Sequence, residues 1–226
     1  MWFVQFGRST IGKKIIMAAT GLIGIAFVIG HMAGNLQAFV GRDKLNAYGA
    51  LLHGPLGELL WVVRIVLIVA VVLHVVMAYQ LTMRARAARP LGYQKRDPQV
   101  STWASRTMRW GGVLLLVFII LHILHFTTGQ VDPAHAYGGV DTAGHRDVYG
   151  NLVASFRIWW VSAFYMLAMI FLGLHLYHGA WSSVRTLGYA KPSPQPLHRR
   201  IALVVAAIVW LGFTVVPLGV LVGVIH

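Results

Sequence analysis

Six histidines lie inside otherwise apolar stretches of the sequence: His31, His74, His122, His125, His175 and His178. Two of these stretches, "LHILHF" at 121–126 and "GLHLYHGAWS" at 173–182, each hold a pair three residues apart. The run before the second pair, "WWVSAFYMLAMIF", has no charge at all. A neutral imidazole presents one donor and one acceptor nitrogen, and the acceptor is a common metal ligand. Two such nitrogens facing across a gap fill both axial positions of a haem iron. No site is left open, so the iron carries electrons and does not bind oxygen. Zinc or copper sites want three or four ligands in one layer, often with carboxylate or thiolate. The chain has no cysteine and no acid beside these histidines. A proton path through a span usually shows Asp or Glu, and only Glu58 comes near one. His53, His135, His145, His198 and His226 fall in loops or at the terminus and read as solvated or interfacial side chains.

The elements that carry these histidines follow from composition. The chain has 226 residues, is 58% hydrophobic and only 11% charged, with a mean hydropathy of +0.69. A soluble domain carries about twice that share of charge. Apolar runs recur at about 15–38, 57–83, 108–128, 157–182 and 201–224, each long enough to cross a bilayer core of about 30 Å. They predict an all-α integral membrane protein of one domain, 1–226, with five spans and ordinary loops between them. The first run follows "RSTIGKK", and no small-residue cleavage site comes after it, so it reads as a retained helix. The absence of cysteine excludes disulfides and cysteine-ligated iron–sulfur clusters. The segment "GQVDPAHAYGGVDTAGHRDVYGN" after the third run is long for a structureless loop and is expected to pack on the membrane surface.

The net charge of +13 sits beside the spans, where orientation in a lipid bilayer explains it without nucleic acid. Arg8, Lys13, Lys14, Arg84, Arg86, Arg89, Lys95, Arg96, Arg106, Arg109, Arg185, Lys191, Arg199 and Arg200 fall on one side. Arg42, Lys44, Arg64, Arg146 and Arg157 fall on the other, with Asp43, Glu58, Asp132, Asp141 and Asp147. The positive-inside rule predicts a cytoplasmic amino terminus, an outer carboxyl terminus and a place in the inner (cytoplasmic) membrane. Trp61, Trp159 and Trp160 mark the outer interface, Trp110 and Trp181 the inner one.

Depth then sorts the histidines. His31 is seventeen residues from Lys14 and His122 thirteen from Arg109, which puts both past the midplane at about 1.5 Å per residue. His74 and His175 are each ten residues from the basic end of their spans. Each of the first four spans contributes to one of two layers, so these four predict a haem-binding bundle. Gly24 and Gly34 near His31, and Gly179 past His175, would leave room for a macrocycle. Arg64 either snorkels to the outer interface or neutralises a haem propionate.

The run "STIGKKIIMAATGL", the "HMAGNLQAF" after it, "LNAYGALL" with "GELLWVVRIVLI", and "HLYHGAWSSVRTLG" together resemble a known family. It is the cytochrome b membrane anchor of succinate dehydrogenases and fumarate reductases, in its single-subunit, five-helix, two-haem form. The resemblance implies two haem b groups, one held by His31 and His122 and the other by His74 and His175. The family's fourth-helix ligand stands four residues before a glycine, which selects His175 with Gly179 over His178. Its third-helix ligand is the earlier position, which selects His122 over His125. The extra histidines could bond a propionate or line a quinone pocket. The resemblance also implies flavoprotein and iron–sulfur partner subunits, electron exchange with menaquinone or ubiquinone, and the option of a higher oligomer of the complex. Quinone could bind at Arg8, Ser9 and Thr10, where Ser9 reads equally well as a helix cap, or at "NAYGALLHGPLGE" with His53 and Glu58. Two rival readings are a haem b anchor of a hydrogenase or formate dehydrogenase, and a small transporter with histidines along a polar path.

Overall fold

The structure, a computed structural model, describes residues 2–88, 102–190 and 197–226. Arg89, Lys95, Arg96 and Lys191, counted above for orientation, lie outside the described residues. The described residues form eight α-helices: α1 (Trp2–Arg8), α2 (Thr10–Leu36), α3 (Arg42–His53), α4 (Gly57–Ala87), α5 (Trp103–His122), α6 (Val148–Arg157), α7 (Trp159–Thr186) and α8 (Leu197–Leu221). Five of them, α2, α4, α5, α7 and α8, are long and apolar enough to cross a membrane. They correspond to the five expected spans, and each begins or ends a few residues beyond the apolar run. The reason is that charged residues continue the helix past the hydrocarbon: Lys13 and Lys14 in α2, Arg84 and Arg86 in α4, Arg106 and Arg109 in α5.

Caps fix several of these ends. Ser9 accepts the Gly12 N–H with its hydroxyl, and Thr102 and Ser105 form a reciprocal capping box at the start of α5. α2 packs against α4, α7 and α8, and α5 packs against α7. α4 is apolar all round, with Trp61, Ile65, Ile68 and Val72 exposed, as suits a helix whose solvent is lipid.

Two segments expected as loops are helical, and this corrects the reading of "GRDKLNAYGALLHGP" and of the end of the long segment. α3 occupies the first, and α6 begins within the last four residues of the second. They pack on each other, and α6 also packs on α7 and α8. Here lies the better buried of two cores: Leu45, Tyr149, Leu152, Phe156, Tyr165, Val216 and Ile225 among others. Asn46, fully buried, ties the cap together. Its amide donates to Asp141 (3.1 Å) and Asp147 (3.0 Å), and its carbonyl accepts the Tyr149 N–H (2.9 Å). Asp147 also caps α6 by accepting the Gly150 N–H. The second core joins α2, α7 and α8 through Met32, Leu176, Ala206 and Val209. The five acids named above belong to α3, the start of α4 and the segment up to α6, so that end of the bundle is called the acidic end and the opposite one the basic end.

Candidate haem centre

The four histidines expected as ligands meet in two separate pairs. His31 on α2 faces His122 at the end of α5, ring centres 5.8 Å apart. His74 on α4 faces His175 on α7, ring centres 6.1 Å apart. The spacing between pairs can be read along two helices. Thr20, which touches His74, precedes His31 on α2 by eleven residues, about 16 Å. Tyr165, which touches His122, precedes His175 on α7 by ten residues, about 15 Å. The two estimates agree on two layers, one towards each end of the bundle.

Hydrogen bonds prepare some of these rings to act as ligands. His74 Nδ1 lies 3.0 Å from the Met17 carbonyl, which can only accept, so Nδ1 carries the proton and Nε2 keeps its lone pair. The Thr20 hydroxyl, 3.2 Å away, shares that nitrogen. His122 Nδ1 lies 3.4 Å from the Tyr165 hydroxyl. His31 stacks on Phe27 and packs against Phe213 of α8, with Asn35 Nδ2 3.4 Å from its Nε2. His175 Nδ1 is buried with no partner among the described residues.

The extra histidines do not behave alike. His125 is 4% exposed, and both its nitrogens are used: Nδ1 by the Tyr165 hydroxyl (2.9 Å), Nε2 by Ser155 Oγ (3.0 Å). Ser155 in turn donates to Asn151 Oδ1 (3.3 Å). A single turn of π-helix, Ile123–Thr127, separates His122 from His125 and turns the second away from the pair. Tyr165, Ser155 and Asn151 were not singled out from the sequence, where they are isolated polar residues with no spacing signal. His178 sits on the Trp181 ring, 5.1 Å between centres.

The donor set and the spaces around it fit haem. Two metal–nitrogen bonds of about 2 Å, with each ring centre about 1 Å behind its nitrogen, need ring centres about 6 Å apart. Gly24 and Gly179 have no atom within 4 Å of where a Cβ would stand. Gly34 departs from expectation: its missing Cβ admits the Tyr48 ring, with Cε1 2.9 Å away, so it serves helix packing. Among the described residues, no three or more His, Asp or Glu side chains cluster as a zinc or copper site would need.

Other expected residues find plainer places. Arg64 lies over the Trp61 ring at 5.0 Å, near the acidic end of α4. Ser9 is a helix cap, and its hydroxyl donates to the Phe6 carbonyl and accepts the Gly12 N–H. Beside it, Arg84 donates to the Arg8 carbonyl (2.8 Å) and the Thr10 hydroxyl (3.1 Å). His53 and Glu58 are exposed, and His53 bonds only the Gly49 carbonyl.

The profile of the succinate dehydrogenase/fumarate reductase transmembrane subunit family matches residues 83–215, more than half of the chain. The chain belongs to that family. The match takes in α5, α7 and most of α8, with His122 and His175, and stops short of His31 and His74. No curated protein and no solved structure matches. As a transmembrane subunit of succinate dehydrogenase/fumarate reductase, the chain is a multi-pass membrane anchor of a quinone oxidoreductase. Such a complex has flavoprotein and iron–sulfur partners, and this family of anchors commonly binds haem b.

Proposed function

We propose that this anchor is a diheme cytochrome b, with His31 and His122 holding one haem and His74 and His175 the other. The observation that carries it is the meeting of four histidines from four spans in two pairs, each at a spacing that suits an iron between them. A bis-histidine haem supplies one-electron transfer. The protein's part is to present neutral imidazoles at fixed depth. The Met17 carbonyl holds the His74 tautomer, and Tyr165 does the same for His122. In the complex, a flavoprotein subunit would oxidise succinate, and electrons would pass by the iron–sulfur subunit to this chain and on to menaquinone or ubiquinone. The reverse direction is fumarate reduction. Of the two quinone readings we favour the Arg8–Thr10 turn, because Arg84 of α4 ties it to a second helix through the Arg8 carbonyl and the Thr10 hydroxyl. The family match favours this reading over the anchors of hydrogenases and formate dehydrogenases.

Haem extraction and chain quantitation on the purified complex should give two b haems per chain. A ratio of one would mean that one histidine pair has another role. A reduced-minus-oxidised spectrum without a haem b band would end the cytochrome reading.

A further inference from the structure

Four buried side-chain nitrogens lie around the Trp181 ring, between the facing ends of α7 and α8. They are His178 Nδ1, Trp181 Nε1, His198 Nε2 and Arg199 Nε, and none has a hydrogen-bond partner among the described residues. The group is compact. Trp181 lies 5.1 Å from His178 and 6.4 Å from His198, centre to centre, and the Arg199 and Arg185 guanidinium carbons stand 4.4 Å and 5.7 Å from its ring centre. Indole and guanidinium nitrogens can only donate, and an imidazole nitrogen donates in the right tautomer. Buried donors without acceptors are costly, so the cluster calls for an acceptor that the described residues do not bring. All five acids among the described residues are at the acidic end, and none is ion-paired with Arg185 or Arg199.

We propose that this cluster is a phosphate-binding site, filled in the membrane by the headgroup of one anionic phospholipid lodged between α7 and α8. An indole N–H and two guanidinium groups, beside two imidazole nitrogens that can donate, select an anion with several acceptor oxygens. Basic pockets between membrane helices near their ends bind such headgroups, and tryptophan sits at that depth. Trp181 is six residues beyond His175, about 9 Å along α7 and close to the helix end at Thr186. Direction separates the cluster from the haem layer. His175 faces His74 on α4, whereas His178 and Trp181 are turned about 60° and 120° from it around the helix. Two of the four donors come from α8, which carries no histidine at span depth. The site therefore needs the membrane helices but does not depend on the haem reading.

The test is phospholipid retention by the purified complex through detergent washing, read by native mass spectrometry. Wild type should keep one anionic phospholipid per chain. Trp181→Phe removes a donor and keeps the ring, and Arg199→Gln removes a charge. Each should weaken retention about tenfold, the factor that one charge-assisted hydrogen bond supplies, with the haem spectra unchanged. Phosphatidylglycerol, and neither phosphatidylcholine nor inorganic phosphate, should restore the thermal stability of washed wild type. Equal restoration by inorganic phosphate would overturn the lipid assignment. Undiminished lipid retention in both variants would overturn the site itself. So would a displaced haem spectrum, or loss of the iron–sulfur subunit, with the lipid still bound, since either would give the donors to another carboxylate.

Discussion

At the residue scale the two double-histidine stretches come apart for different reasons. In "LHILHF" the π-turn sends His122 to His31 and His125 into a hydrogen-bonded chain with Tyr165 and Ser155. His125→Leu would remove two buried hydrogen bonds, leaving the Tyr165 hydroxyl with His122 and the Ser155 hydroxyl with Asn151, at about 0.5–1.5 kcal/mol for each bond lost. A lower melting temperature with both haems retained is the expected result. Loss of a haem in that variant would make His125 a ligand. In "GLHLYHGAWS" the choice rests on direction. His175→Ala should abolish the bis-histidine spectrum of the haem at the basic end and stop electron flow to quinone. His178→Ala should leave both haems bound, and the reverse pattern would reverse the assignment.

At the element scale, the short helices α3 and α6 owe their existence to packing. Neither is long enough to be stable alone in water. α3 leans on α6 through Gly49, where a Cβ would come within 3.0 Å of Val148, and the two are joined by the hydrogen bonds of Asn46. Asn46→Ala should therefore destabilise the cap by about 2–4 kcal/mol, since it removes two hydrogen bonds to carboxylates and leaves the buried Tyr149 N–H without its acceptor. Denaturation of the complex in detergent would show it. Asp141 gives the cap a pH dependence. Burial pushes its pKa up, but the N–H of His145, the Asn46 amide and the N–H of Ala143 outweigh that and hold the carboxyl below its usual range. A lowered folded-state value means that the stabilisation is whole above the unfolded carboxylate value and is lost as acid carries pH down through the folded one. Melting temperature should fall on acidification below about pH 4, and Asp141→Asn should flatten that fall.

At the scale of the whole molecule, charge and packing divide the bundle into two ends. The acidic end carries the hydrogen-bonded cap and the larger core, and the basic end carries Arg8, Lys13, Arg84, Arg185 and Arg199. On the positive-inside rule we propose that the basic end faces the cytoplasm, where an iron–sulfur partner would dock. A reporter fused after His226 should then read as non-cytoplasmic. A cytoplasmic readout would invert the bundle and exchange the two haem layers.

The sequence alone was enough for the five spans and the two histidine levels. Both rest on one-dimensional quantities: the length of apolar runs, and the rise per residue counted from a charged flank. The same counting set His31 level with His122 and His74 level with His175, while the choice of His122 over His125 and of His175 over His178 came with the family resemblance. Tertiary structure decided what depends on rotation and on distant partners. The π-turn after His122, the burial of His125 against Ser155, the use of Gly34 to admit Tyr48 and the helices α3 and α6 all turn on contacts between residues far apart in the chain. Trp181 shows the difference most clearly. Its place near a helix end suggested an interfacial anchor, but α8 brings His198 and Arg199 against it and makes it the centre of a half-buried cluster of hydrogen-bond donors. No local pattern encodes that, because half of the cluster comes from another helix.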